Sequence, residues 1–524
     1  MSDGPGRHDR QGSTPPPGYR PPRPPAEAGP AQPAPQPEPT SPASPQAAAP
    51  GADPLAGAAP GPEEYARQQQ AAAADSQKPG RQKSPVPSFL KAVRPHHVLG
   101  LVLSHLTFYL TLLLLSVVTV IGLIAGVALE AEAAGAPGEF TQVADELELG
   151  GALAALTLPF QLVGVWLFGQ LRFTVDVPAD YQQFLGSSTM EFLRVFAPNL
   201  LVVLLATVLA VWAGRMWARR FPGAGLSDLP WSARLLLGTA VSLLSALLTL
   251  LVTFALAFRT SFTEGGETVR MVAGAAGAAL FFGALALFLL ITVLLCASPA
   301  LLSRARGAAD SVLPSASRMP RVLTVHAVVI GVPVLAYATI MMALEVGAVG
   351  PLSFLFWAST VAVSGFVLLN AGALTAAMGT TGFGGGLAES ETLYLWTTGL
   401  RWWEVTLAVI LGLVALGLAS LTWAVVRRPA ATGVQKVLSW LTLPVLYGVT
   451  GAVLTVFGQL RIDFDAGGFT GGGGTFGPAW WTFLILLLVG VVIELLARFA
   501  FGPAAKRLPR PLRRLLGGRA AAAV

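Results

Sequence analysis

Residues 98–129 read VLGLVLSHLTFYLTLLLLSVVTVIGLIAGVAL, a run that holds no Asp, Glu, Lys or Arg. About 20 helical residues cross a hydrocarbon core, so this run is long enough to cross with length to spare. Nine further apolar segments follow, at approximately 150–168, 195–214, 235–258, 271–297, 322–344, 352–378, 405–426, 437–457 and 479–500. All are continuous apolar runs and not ten-residue alternations of lipid-facing and lumen-facing side chains, which excludes a closed barrel. The expected fold is all-α, a polytopic transmembrane helical bundle.

Composition agrees. The 524 residues are 53% hydrophobic and 12% charged, where about 25% charged is usual for soluble domains. The mean hydropathy is +0.63. The net charge of +6 does not point to a nucleic-acid partner, because the basic residues collect at segment boundaries and not on a soluble face that could track phosphates. The bilayer itself is the expected partner. A single cysteine, Cys296, excludes a disulfide framework and a cysteine metal site. Arg greatly outnumbers Lys in an Ala-, Gly- and Pro-rich chain, a bias that goes with a bacterial, GC-rich source.

Three regions follow. Residues 1–88 are Pro, Ala, Gly, Gln and Ser with almost nothing to bury, so folding could not recover the backbone entropy it costs. A disordered cytoplasmic tail is expected there. Its Pro15–Pro25 stretch favours polyproline II and offers a docking segment for a protein partner. The first 30 residues lack an apolar signal core, so the first membrane segment is expected to direct insertion. Residues 89–502 form the multi-pass domain, and 503–524 a short basic cytoplasmic tail.

Arg and Lys mark retained loops. They gather at Arg215–Arg234, Arg304–Arg321, Arg427–Lys436 and from Arg498 to the C-terminus, whereas Glu130–Glu148 is acidic throughout. Strict alternation of ten crossings would put two basic loops outside. The stretch 150–168 is short and broken by Pro159, and Glu345–Pro351 is a minimal Gly/Pro joint. If each site contributes a re-entrant or half-crossing element, eight full crossings remain. With eight, every basic loop lies inside, with both termini cytoplasmic and the chain in the plasma membrane; ten plain crossings that break the charge rule are the alternative.

An internal repeat accompanies this pattern. Leu156-Thr157-Leu158-Pro159 precedes Phe168-Gly169-Gln170-Leu171-Arg172, and Leu441-Thr442-Leu443-Pro444 precedes Phe457-Gly458-Gln459-Leu460-Arg461. Each helix is expected to pass into an extended polar segment at the external face, with Leu369-Asn370 as a degenerate third copy. These words and the basic-flanked Ala/Leu/Val helices resemble the very hydrophobic actinobacterial membrane proteins called streptophobe proteins. That likeness covers residues 98–500 in character; it implies a multi-pass helical protein and no particular activity.

Chemical motifs are few. Gly382–Gly386 and Gly467–Gly474 lack the Gly-Lys-Ser/Thr ending of a phosphate loop and read as flexible loops. Asp463 and Asp465 read as a solvated acidic turn. No catalytic residue, cofactor site or metal site emerges, and the chain is not expected to be an enzyme. Trp402, Trp403, Trp480 and Trp481 read as interfacial aromatics, and Glu404 and Glu494 as ion pairs with Arg401 and Arg498 on their own helices. Polar residues in membrane segments default to functional candidates. Gln161, Glu345 and Asn370 flank the two broken elements and form the candidate intramembrane site. The expected function is a permease-like bundle for a small or lipid-like solute. The alternative is a non-catalytic envelope scaffold or regulator that recruits partners through its tail.

Overall fold

The computed structural model describes residues 93–133, 148–176, 189–264, 267–297, 299–382, 387–427, 433–465 and 470–517. The tail of residues 1–88, most of the acidic loop, the tips 383–386 and 466–469 and residues 518–524 lie outside the described residues.

Among the described residues, eight helices are long and apolar enough to cross a membrane. They are α1 (Pro95–Ala133), α3 (Leu200–Arg220), α4 (Trp231–Ala255), α5 (Ala278–Cys296), α7 (Met319–Glu345), α9 (Trp402–Val426), α10 (Gly433–Phe457) and α11 (Thr482–Phe499). Two further apolar helices stand at the two broken sites: α2 (Glu148–Trp166), 19 residues with Pro159 inside it, and α8 (Phe354–Leu369), 16 residues. Polar helices flank these at the ends of the halves, namely α6 (Pro299–Val312), α12 (Phe501–Arg507) and α13 (Arg510–Gly517).

Both α2 and α8 stop inside the bundle. A Cβ on Gly412 would meet the carbonyl oxygen of Leu369 at 2.6 Å, and Gly412 lies roughly three turns into α9. The Phe366 ring meets His326 of α7 with centroids 5.2 Å apart. At the other site, a Cβ on Gly283, inside α5, would strike the Leu167 carbonyl that follows α2. Chain reversal there uses left-handed backbone at Phe168 (φ 69°) and Ala371 (φ 59°).

From these stops the chain continues as strands, and here the structure adds to the helical expectation. The strands are β1 (Leu171–Asp176), β2 (Thr189–Phe196), β3 (Phe258–Glu264), β4 (Glu267–Gly274), β5 (Leu374–Gly382), β6 (Leu387–Leu393), β7 (Leu460–Asp465) and β8 (Thr470–Pro478). They make one eight-stranded sheet in the order β3-β4-β1-β2-β7-β8-β5-β6, antiparallel at every pairing. The segment expected as helix to residue 378 is helical only to Leu369 and then becomes β5. Most of the Gly467–Gly474 stretch, expected as flexible loop, lies in β8. Glycine is required there: a Cβ on Gly473 would meet Asp463 Oδ1 at 2.6 Å, and one on Gly472 would meet the Gly379 carbonyl at 2.7 Å. Asp463 itself is not in a turn but in β7, opposite Arg194 of β2. Glu191 accepts a hydrogen bond from Arg194 Nε at 2.6 Å and holds that guanidinium above its ordinary pKa.

Each hairpin joins the end of one helix to the start of the next, giving four helix–hairpin–helix units: α2 to α3, α4 to α5, α8 to α9 and α10 to α11. Corresponding starts, Leu200 and Trp402, Trp231 and Gly433, Phe258 and Leu460, lie about 202 residues apart, so the chain is built of two halves. The two repeated words belong to the first and fourth units and meet at the seam between halves. Phe168 and Phe457 pack with ring centroids 5.1 Å apart. In both words the Gln accepts from the Arg two residues on, Gln170 from Arg172 at 3.3 Å and Gln459 from Arg461 at 2.8 Å. All four hairpins lie at one end of the bundle, the sheet end; the opposite end is the base.

Each half has its own core. Phe108, Trp166, Leu280 and Phe288 fill the first, and Leu443, Tyr447, Trp423 and Ile493 the second. Outward residues such as Leu114, Leu204, Leu244 and Leu413 stay exposed, as lipid-facing positions do. With lipid as apolar as leucine, close approach of small residues drives helix packing. A Cβ on Gly490 of α11 would meet the Leu443 carbonyl and Pro444 Cα of α10, both at 2.8 Å, whereas one on Gly331 of α7 meets nothing within 4 Å. Gly490→Ala is expected to destabilise the protein by about 1–3 kcal/mol through overpacking. Gly331→Ala should leave thermal unfolding in detergent unchanged. Equal melting curves for the two variants would contradict this packing.

Candidate functional site

A half-open cavity of about 610 Å³ lies between α7, α8 and α9, under the β5–β6 hairpin. This is within the roughly 300–1,000 Å³ of small-molecule sites. Its walls are apolar, with Val334, Ala338, Met341, Leu368, Leu369 and Leu407 among them. Polar groups occupy the rim nearest the sheet. Tyr337 donates to Glu404 Oε1 at 2.8 Å, and the Arg401 backbone N–H donates to Glu404 Oε2 at 2.7 Å. Glu345, exposed at the outer end of α7, lines the same cavity. Glu345 and Arg401 both lie close enough to act electrostatically on Tyr337. The arrangement is an apolar slot with two carboxylates and a phenol at its mouth.

Of the three candidate residues, only Glu345 lines this cavity. Asn370 ends α8, and its Nδ2 donates to the Phe366 carbonyl at 2.7 Å, closing its own helix. Gln161 lies in the other half, fully buried. Its Nε2 donates to the carbonyls of Thr253 at 2.9 Å and Leu256 at 2.7 Å, and its Oε1 accepts from the Ala275 N–H at 2.8 Å. That one carboxamide ties the end of α4 to the start of α5 beneath the β3–β4 hairpin. Its hydrogen bonds go to backbone ends that would otherwise be orphaned.

Two buried histidines take matching places. His105 of α1 shares Nδ1 with Ser245 Oγ at 2.9 Å and Nε2 with Thr292 Oγ1 at 3.2 Å. His326 of α7 shares Nδ1 with the Tyr447 hydroxyl at 2.9 Å, and its Nε2 has no hydrogen-bond partner among the described residues. Ser245 and Tyr447 occupy the same step of α4 and α10. Both histidines were visible as polar residues in apolar runs; the signal for their equivalence is the 202-residue spacing of the helices they bond.

Charge is concentrated at the base of the second half. Glu494, 0% exposed, accepts from Trp423 Nε1, from Arg498 Nε at 2.5 Å and from Arg427 Nη1 at 3.4 Å. Arg498 also donates to Ser439 Oγ at 2.8 Å and lies 3.7 Å over the Trp440 ring. The same-helix pair expected from spacing, Glu494 with Arg498, is present, but it is buried in a junction of three helices and is not interfacial. The Glu404 carboxylate likewise bonds the Arg401 backbone and Tyr337, so its role is to cap α9. Trp402 and Trp480 are strongly exposed near the sheet-end starts of α9 and α11. Among the described residues no three His, Cys, Asp or Glu side chains converge as a metal site would.

Compared with protein-family models, curated proteins and solved structures, the chain matches none.

Removing the shared carboxylate leaves two partly buried guanidiniums without their counter-ion, a loss of about 3–5 kcal/mol for buried pairs. Glu494→Gln is expected to lower stability by about that much in detergent. A melting temperature equal to that of the unaltered protein would show that the junction contributes nothing.

Proposed function

We propose that the protein is a permease-like membrane bundle that takes a lipid-like amphiphile into the cavity between α7, α8 and α9. The observation that carries this reading is the pairing of an apolar slot with a polar, carboxylate-bearing mouth. An aliphatic chain gains contacts with Val334, Met341 and Leu368, while a donor-bearing head group, an amine or hydroxyl, meets Glu345 and Glu404. Binding of such a molecule in the unaltered protein is read from labelling by a photoreactive long-chain alkylamine in reconstituted vesicles. Ala338→Trp, which fills the slot, should reduce labelling at least tenfold. Glu345→Gln should weaken the amine probe but not an alcohol-headed analogue. Absence of saturable labelling by either probe would overturn the reading and favour the scaffold alternative.

The sidedness we propose is base-inward in the plasma membrane, with both termini cytoplasmic. Arg215, Arg219, Arg220, Arg234, Arg304, Arg306, Arg318, Arg321, Arg427, Lys436 and Arg498 all belong to connections or helix ends at the base. The arginines at the sheet end, such as Arg172, Arg194 and Arg461, stand among acidic residues of the same hairpins. Clustering of cations on one side supports cytoplasmic retention of that side. In a Cys296→Ser background, Ser261→Cys should react with an impermeant thiol reagent on intact cells, and Ala308→Cys only after permeabilisation. The reverse pattern would invert the assignment.

A further inference from the structure

The base of the first half holds a second cavity, of about 400 Å³, enclosed by the start of α1, the end of α3 and the turn at Leu226–Asp228, with Arg306 of α6 at its rim. Its inner wall is made of Gly100, Leu101, Gly214 and Leu295. The glycines keep it open to the neighbouring helix: a Cβ on Gly100 would press on Trp217 Cδ1 at 2.8 Å. Trp217 Nε1 donates to the His96 carbonyl at 3.3 Å, which ties α3 to the start of α1.

The polar lining has one sign. Arg215, Arg219 and Arg306 line the cavity, and among the described residues no carboxylate does. The carboxylate closest in sequence, Asp228, accepts from the Ser227 hydroxyl at 3.2 Å within its own turn. His97 also lines the cavity and is 3% exposed. Its Nδ1 accepts the Arg94 backbone N–H at 3.0 Å. A ring nitrogen that accepts carries no proton, so in the neutral ring the proton is on Nε2, a donor. That Nε2 is buried and has no hydrogen-bond partner among the described residues. A buried donor without an acceptor is rare in folded proteins. The second half shows the contrast: there Arg427 and Arg498 converge on Glu494, so the base cations carry their counter-ion within the chain.

We propose that this cavity is a binding site for a phosphate group, held by Arg215, Arg219 and Arg306, with the buried His97 in its wall. Guanidinium forks match phosphate oxygens in geometry as well as charge. The phosphate can be that of an anionic phospholipid head group or free in solution. Basic pockets between membrane helices recognise the former, and the experiment separates the two.

The full chain is reconstituted in phosphatidylcholine nanodiscs. Thermal unfolding is followed in two arms, one with inorganic phosphate added and one with phosphatidylglycerol in the disc. Ligand that binds only the folded protein raises the melting temperature. A rise in the phosphate arm assigns a soluble ligand, and a rise in the phosphatidylglycerol arm alone assigns a lipid. In either case the Arg219→Gln/Arg306→Gln variant should weaken the apparent affinity at least tenfold. Both side chains are exposed, so the fold is kept, as the melting temperature without ligand will show. Arg304→Gln removes one positive charge from the helix that carries Arg306, outside the cavity lining, and should leave the affinity unchanged. No rise in either arm overturns the site. So does an Arg304→Gln effect as large as that of the lining pair, which would mean diffuse surface attraction.

Discussion

A chain that leaves the helical conformation at membrane depth must find a partner for every backbone N–H and C=O that it releases. This constraint organises the molecule. Helices α2 and α8 stop inside the bundle, and the strands that follow them satisfy one another in a single sheet. Where the sheet does not reach, side chains take over. Gln161 serves three backbone groups at the α4–α5 joint, and Asn370 serves the end of α8. In the second half the Ala479 N–H donates to the Ala373 carbonyl at 2.9 Å, a backbone bond that ties the approach to α11 to the joint between α8 and β5.

The long helices were legible because a charge-free run of twenty or more residues has almost no other stable outcome. The two broken elements announced themselves by Pro159 and by the Gly/Pro joint after Glu345; at both a helix gives way to a strand inside the bundle, and the one at the Gly/Pro joint is short. Of the strands only β1 and β7 were legible, as the extended segments expected after the two repeated words. β5 and β8 are Thr-, Ala- and Gly-rich, with none of the alternation that marks a half-buried strand, and their glycines are demanded by neighbours remote in sequence. The polar candidates were legible as positions and not as roles. Gln161 finds its partners 92 to 114 residues away, and His105 finds Ser245 140 residues away, separations no local pattern reports. Glu345 was legible as a carboxylate beside the Gly/Pro joint, yet the apolar slot behind it comes from α8, α9 and the β5–β6 hairpin.

The polar chemistry inside this bundle divides between fastening and openness. Glu494 and Gln161 have their hydrogen bonds met by protein and fasten helices or helix ends, and Glu404 does both, capping α9 while it lines the cavity mouth. His97 and His326 each keep one nitrogen without a protein partner among the described residues, and the cavity mouth at Glu345 is exposed. Fastened groups lie where helices converge; open groups lie where small residues or short helices leave room. The placement of glycine and of broken helices thus decides which polar residues can meet a ligand.

Because α2 and α8 both turn back into strands at the sheet end, each half contains, among the described residues, four membrane-length helices that run between base and sheet end, an even number. Parity then governs what copying such a half can produce. A unit that ends on the side where it began is followed by a second unit in the same orientation, so tandem copies are parallel. An odd unit would be inverted on copying, with its hairpins on the opposite face and nothing to pair with. The β2–β7 pairing that joins the two halves into one sheet is therefore accessible only to an even-numbered ancestor. A half that lost one long helix would forfeit the shared sheet as well as a crossing.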